Sequence, residues 1–146
     1  MTVIAWDGKM LAADKRAVCY GVCFTTTKVR RIASGELLAW TGSQDAGELL
    51  AKWYADGQDP GKWPDVQKDK DDWCRLIVVG EDGARFFERQ PVAMKVEDKF
   101  SAWGSGRDFA LTAMHLGKNA REAVEIACLF ENGCGNGVDV LTPNGE

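Results

Sequence analysis

A chain of 146 residues that is 45% hydrophobic is long enough for one compact domain to bury most of its apolar surface, and too short for two ordinary ones. Its formal charge of −4, with basic residues interleaved among acidic ones, excludes a general attraction to nucleic acid or anionic lipid. No apolar run nears the roughly 20 residues of a membrane-crossing helix, and the start lacks a charged segment followed by an apolar one, so a soluble, cytoplasmic, single domain over 1–146 is expected.

From the N-terminus, TVIAW and KMLAAD flank Asp7-Gly8, a dipeptide preferred in two-residue hairpin turns. That turn would set Trp6 against Lys9, Ile4 against Leu11 and Thr2 against Ala13, bringing Asp14 diagonally beside the chain start. A second hairpin signal, Ser34-Gly35, lies between KVRRIA and ELLAWT. Counted the same way, it sets Arg30 against Ala39 and Lys28 against Thr41, next to Gly42. From Ser43 the period becomes helical, with Ala46, Leu49, Leu50, Trp53 and Tyr54 on one side, Ser43 as N-cap and Gly57 as the stop.

The stretch from Asp56 to Asp72 mixes Pro, Gly and charge without period and reads as an irregular excursion within the domain. A third hairpin turns at Glu81-Asp82-Gly83, and a short strand runs into the glycine-flanked Ser105. Helices are predicted over roughly Arg107 to Leu116 and over AREAVEIACLFE, followed by a last strand in GVDVLT. Strands, helix, strands, two helices and a strand indicate an α+β fold with antiparallel sheets.

If the initiator methionine is removed, Thr2 carries a hydroxyl and a free α-amine on one residue. Such an amine has a pKa of about 7.7 to 8.0 and is partly neutral near pH 7, so it can take the hydroxyl proton directly or through one water. Lys28 nearby would favour the deprotonated hydroxyl and the neutral amine, and Asp14 would hold that lysine. Gly42, at a helix start, offers an N–H for an oxyanion. With Met1 in place the nitrogen is an amide, and this base does not exist.

The stretches TVIAW, LAAD at Leu11 to Asp14, KVRRI at Lys28 to Ile32, TGSQDAGELL after Trp40, GSG at Gly104 to Gly106 and the closing GNGVDVLT resemble those of proteasome β-type subunits. The KVRRI run and the short length are most similar to HslV-like peptidases. The resemblance implies an N-terminal nucleophile hydrolase with a four-layer αββα sandwich, assembled as a homo-oligomeric ring around its active sites. It implies a threonine endopeptidase that receives unfolded protein from an ATP-dependent unfoldase. It matches Thr2 to the nucleophile, Asp14 to the buried acid, Lys28 to the lysine and Gly42 to the oxyanion glycine. Ser105 matches the serine near the threonine amine, and Glu131 the remaining acid; Cys134 stands where many proteasome subunits have serine. The chain lacks the N-terminal extension of α-type subunits and any long propeptide, so methionine removal would suffice for maturation.

Other constellations carry less. Ser105 lacks the GxSxG frame of a nucleophile elbow, since position 103 is tryptophan, and His115 reads as a helix-surface or satisfied core residue. Gly133, Gly135 and Gly137 follow a helix and precede a strand, the reverse of a phosphate loop, and read as a tight turn. The six tryptophans read as core or subunit-contact residues, since no basic stripe accompanies them. Five cysteines without a CxxC pair read as reduced thiols; Cys19 and Cys23 would share a strand face. With one histidine, a zinc site is poorly supplied, and neither metal nor cofactor is expected. The competing function is a catalytically inactive ring or scaffold subunit that keeps the fold without the chemistry.

Overall fold

The computed structural model describes residues 1–65 and 74–145. Of the predicted excursion, the described part contains a 3₁₀ turn at Pro60–Lys62; residues 66–72 of it, and Trp73, lie outside the described residues.

Strands β1 (Ile4–Trp6) and β2 (Leu11–Asp14) form the first hairpin, but with Ile4 opposite Ala13 and Trp6 opposite Leu11. The loop therefore holds four residues, Asp7 to Met10, where a two-residue turn was expected. The Asp7 carboxylate decides this. Its Oδ1 accepts from the N–H groups of both Lys9 and Met10 at 2.8 Å, and its Oδ2 from Ala120 N–H at 2.9 Å. A slip of two residues keeps every side chain on its own face, so Asp14 still reaches the chain start, now opposite Val3 through Asp14 N–H to Val3 O at 3.2 Å.

A hairpin that was not predicted follows. β3 (Arg16–Cys19) and β4 (Val22–Thr25) pair across Tyr20-Gly21, both at positive φ, 51° and 79°, as a type I′ turn requires. Val18 pairs with Cys23 and Cys19 with Val22, so the two cysteines sit on separate strands and opposite faces of the ribbon.

β5 (Val29–Arg31) and β6 (Leu37–Gly42) are joined through the three-residue loop Ala33 to Gly35, and Val29 lies opposite Ala39. The expected two-residue turn is off by one here, because a glycine at the third loop position favours the bulged three-residue form. Arg30 consequently faces Leu38, and Lys28 precedes the paired segment without meeting Thr41 across it. The third hairpin joins β7 (Cys74–Gly80) to β8 (Gly83–Phe87) across Glu81-Asp82. Helix α1 (Gln44–Ala55) starts at Ser43, whose hydroxyl accepts from Ala46 N–H. The remaining elements are β9 (Met94–Lys95), β10 (Ser101–Trp103), α2 (Arg107–His115), α3 (Ala120–Phe130) and β11 (Val138–Leu141).

Beside the two-stranded β3–β4 ribbon, two larger antiparallel sheets have the orders β10-β1-β2-β11 and β5-β6-β7-β8-β9. Strand periodicity divides their side chains among three clusters. Val3, Ala5 and Ala12 pack on Ala110, Ala113, Ala123, Val124 and Ala127 of α2 and α3. Leu38, Trp40, Leu76 and Val78 pack on Leu50, Ala51, Trp53 and Tyr54 of α1. Ile4, Trp6, Leu11 and Ala13 of the first sheet meet Leu37, Ala39, Ile77 and Val79 of the second. Sheets covered on both faces explain the near-continuous apolar strands. Trp6, Trp40, Trp53 and Trp103 are buried in these layers, and His115 is exposed at the end of α2. No helix among the described residues is long and apolar enough to cross a membrane.

At the edge of the α1 layer, Glu36 Oε2 accepts from Tyr54 Oη at 2.8 Å and from Arg85 Nη2 at 2.6 Å. Partial burial raises the Glu36 pKa, but the hydrogen bonds from Tyr54, Arg85 and Ser34 outweigh it and hold the carboxyl below 4.5. Partial burial and the Glu36 hydrogen bond push the Tyr54 phenol up to about 12. A carboxylate with a depressed folded pKa adds stability above its unfolded pKa and loses it as pH falls through the folded value. Glu36→Gln should therefore cost about 1 kcal/mol at pH 7, solvent screening included. In urea unfolding the difference from wild type should close as the pH falls below 4.5; a pH-independent difference would assign the loss to packing.

Candidate active site

Backbone and hydroxyl groups clamp the chain start. Thr2 N–H donates to Ser105 Oγ at 3.3 Å, and Thr2 O accepts from Gly106 N–H at 3.2 Å and from Ser105 Oγ at 3.4 Å. One residue on, Val3 N–H donates to Asp14 Oδ1 at 3.1 Å. The close approach depends on Gly104: at φ +94° it takes a conformation side chains disfavour, and a Cβ there would lie 2.1 Å from Thr2 O.

Asp14 ends β2 with no exposed surface, and its acceptor sites are all occupied. Oδ1 takes Val3 N–H and the Lys28 ammonium at 2.8 Å, while Oδ2 takes Arg16 N–H at 3.2 Å and Gly135 N–H at 3.1 Å. Lys28 is 8% exposed, and its Nζ spends its three donors on Asp14, Thr2 Oγ1 at 3.3 Å and Met1 O at 3.2 Å. A buried ion pair with no spare donor or acceptor thus abuts the Thr2 hydroxyl. On the other side of Thr2, Cys134 Sγ lies 3.9 Å from Ser105 Oγ. Burial pushes its thiol up to about 12, so at neutral pH it is a thiol and adds no charge to the site.

Thr2, Gly42 and Ser105 line a pocket of 560 Å³ together with Met1, Thr41 and Gly104, among others. A larger cleft of 880 Å³, between the loop after β1 and the turn after β7, is lined by charges of both signs; the buried hydroxyl-ammonium-carboxylate chain marks the smaller pocket as the chemical one.

No protein-family model matches the sequence, and no curated protein sequence matches it. Solved structures match closely in shape. BPH from Thiobacillus denitrificans, in complex with epoxomicin, superposes with a TM-score of 0.72 at 20% identity, over 97% of this chain and 97% of that one. Eukaryotic HslV from Trypanosoma brucei gives 0.69 at 20% identity, over 95% and 96%. Anbu, an ancestral β-subunit from Yersinia bercovieri, gives 0.68 at 12% identity, over 97% and 80%.

The chain has the fold of HslV-like proteins.

Within this HslV-like fold, the residues singled out in the sequence divide into two groups. Thr2, Asp14, Lys28 and Ser105 form one hydrogen-bonded chain. Gly42 closes β6 ahead of the Ser43 cap and shares the pocket. Glu131 caps the end of α3, and its Oε1 accepts from Gly133 N–H at 3.1 Å; it bonds to none of Thr2, Asp14, Lys28 or Ser105.

Three contributors escaped the sequence reading. Gly135 gives its N–H to Asp14, and Gly104 makes room for Thr2 O. Thr41 joins the pocket wall. The closely spaced glycines around 104 and 135 were a signal of tight backbone approach, but only tertiary contact reveals to what.

Asp14→Asn would face backbone N–H donors with an amide and leave the Lys28 ammonium buried without its counter-charge, at a cost of about 3–5 kcal/mol. Lys28→Met leaves the carboxylate its three backbone donors and should cost less. Urea unfolding of the two variants gives the order; the reverse order would show that the ammonium is the less dependent partner.

Proposed function

We propose that the chain is a threonine-type endopeptidase subunit, a single peptidase domain with a four-layer αββα sandwich. The observation that carries this reading is Lys28 Nζ, held by Asp14 at 2.8 Å and placed 3.3 Å from Thr2 Oγ1, beneath a pocket that opens on residue 2. With Met1 removed, the Thr2 α-amine lies beside its own hydroxyl and beside Ser105 Oγ. It takes the hydroxyl proton as Oγ1 attacks a peptide carbonyl, and Lys28 favours the developing negative oxygen. The N–H of Gly42 is assigned to the carbonyl oxygen as it becomes an oxyanion. Collapse of that intermediate passes the proton to the departing amine, and water then hydrolyses the acyl-threonine ester and restores the hydroxyl.

The fold of HslV and Anbu supports a self-compartmentalising, cytoplasmic protease made of a homo-oligomeric ring, fed with unfolded chains by an ATP-dependent unfoldase. Surface chemistry agrees with subunit contact: Val18, Tyr20, Val22 and Phe24 on the β3–β4 ribbon are exposed apolar side chains, more than a solvated edge needs. Glu131 enters this reading as the acid that shapes the turn beneath the site.

One observation favours the inactive ring subunit instead. Met1 O accepts a hydrogen bond from Lys28 Nζ, a contact that a retained methionine would keep. Intact mass and N-terminal sequencing, with peptide hydrolysis by wild type and Thr2→Ala, separate the two. The peptidase predicts a start at Thr2 and a loss in the variant on the order of 10³-fold or more in kcat. A retained Met1 with no turnover assigns the scaffold role, and unchanged turnover in Thr2→Ala moves the chemistry elsewhere, with Ser105 next in line.

A further inference from the structure

Thr41 is 2% exposed, and its Oγ1 is the one buried side-chain nitrogen or oxygen among the described residues with no hydrogen-bond partner. Native interiors leave few such groups, because each forfeits its hydration without replacement. Its position makes the orphan informative. Along β6, Leu37 and Ala39 face the first sheet, and Thr41 is the next residue in that row. Along β1, Trp6 and Ile4 face the second sheet, and Thr2 is the next in theirs. The two hydroxyls therefore end facing rows of the two sheets, and both residues line the 560 Å³ pocket, with Gly42 directly following Thr41.

Resting on the reading of Thr2 as nucleophile, we propose that Thr41 Oγ1 donates a hydrogen bond to the carbonyl oxygen of the acyl group held at Thr2, as a side-chain donor beside the backbone N–H of Gly42. The hydroxyl is closed off from solvent. Rotation about the Cα–Cβ bond of Thr41 carries the hydroxyl to another staggered position, and in the proposed complex that position aims the donor at the acyl carbonyl. A bound carbonyl supplies the acceptor that Thr41 Oγ1 otherwise lacks. That acceptor strengthens as it becomes an oxyanion, since a hydrogen bond to a charged oxygen is roughly twice as strong as one to a neutral oxygen. The contact therefore acts on the transition state more than on ground-state binding.

The test compares wild type, Thr41→Val, Thr41→Ser and Thr2→Ala of the full chain by kcat and KM on a series of fluorogenic peptides. It adds the affinity of a peptide aldehyde, which accepts Thr2 Oγ1 at its carbonyl carbon to give a hemiacetal. Valine keeps the branched shape without the hydroxyl and should lower kcat about 10- to 10²-fold with little change in KM. Aldehyde affinity should fall by a similar factor, and serine should recover most of both. Thermal unfolding of Thr41→Val should be unchanged or raised, because the unpartnered hydroxyl is gone.

Wild-type kcat and aldehyde affinity in Thr41→Val, with Thr2→Ala inactive, overturns the Thr41 role and leaves the Thr2 reading standing. An effect confined to KM for peptides with polar side chains also overturns it, by assigning Thr41 to side-chain recognition. Turnover retained in Thr2→Ala, or a wild-type chain that neither cleaves peptide nor forms the aldehyde adduct, removes both readings.

Discussion

Everything at the chain start depends on one buried ion pair. Moving a carboxylate and an ammonium out of water is costly, and their attraction compensates only when the remaining hydrogen-bonding capacity of both is met. Asp14 and Lys28 meet that condition with partners from separate parts of the chain: Val3 behind the N-terminus, Arg16 at the start of β3 and Gly135 in the turn before β11. Satisfying one pair thus fixes the entry of β1, the end of β2, the approach to β5 and the turn after α3. The same saturation gives the Thr2 hydroxyl a defined neighbour.

Opposite the ion pair, the Thr2 peptide is held by backbone and hydroxyl groups from Gly104 to Gly106. Residues without side chains there let α2 begin close to the first residues of the chain; a Cβ on Gly106 would stand 2.8 Å from Val3 Cβ. Loss of Met1 would free one Lys28 donor and convert the amide that donates to Ser105 into an amine.

Much of this was legible in order and type. The apolar periods of α1, α2 and α3 were strong because each buries one stripe, and the observed spans, such as Gln44–Ala55, fall where cap and period placed them. Hairpin registers were less legible, since dipeptides such as Asp7-Gly8 and Ser34-Gly35 permit more than one loop length. The Asp7 carboxylate, bonded to its own loop and to α3, selected the four-residue loop. Tyr20-Gly21 passed unnoticed because its ribbon buries little and shows no contrast of apolar and polar faces.

The sequence by itself determined the three helices, the three hairpins it signalled, the antiparallel layering and the candidacy of Thr2, Asp14 and Lys28, because periodicity, caps and residue chemistry are local properties; Ser105 became a candidate only through the family resemblance. Tertiary structure alone decided that Lys28 reaches Asp14 and Thr2 from outside a paired strand, that Glu131 turns to Gly133 and that Thr41 is left without a partner. Those outcomes depend on which donors and acceptors meet after two sheets close on each other, and hydrogen-bond satisfaction in a shared interior is a property of the whole packing and not of any one segment.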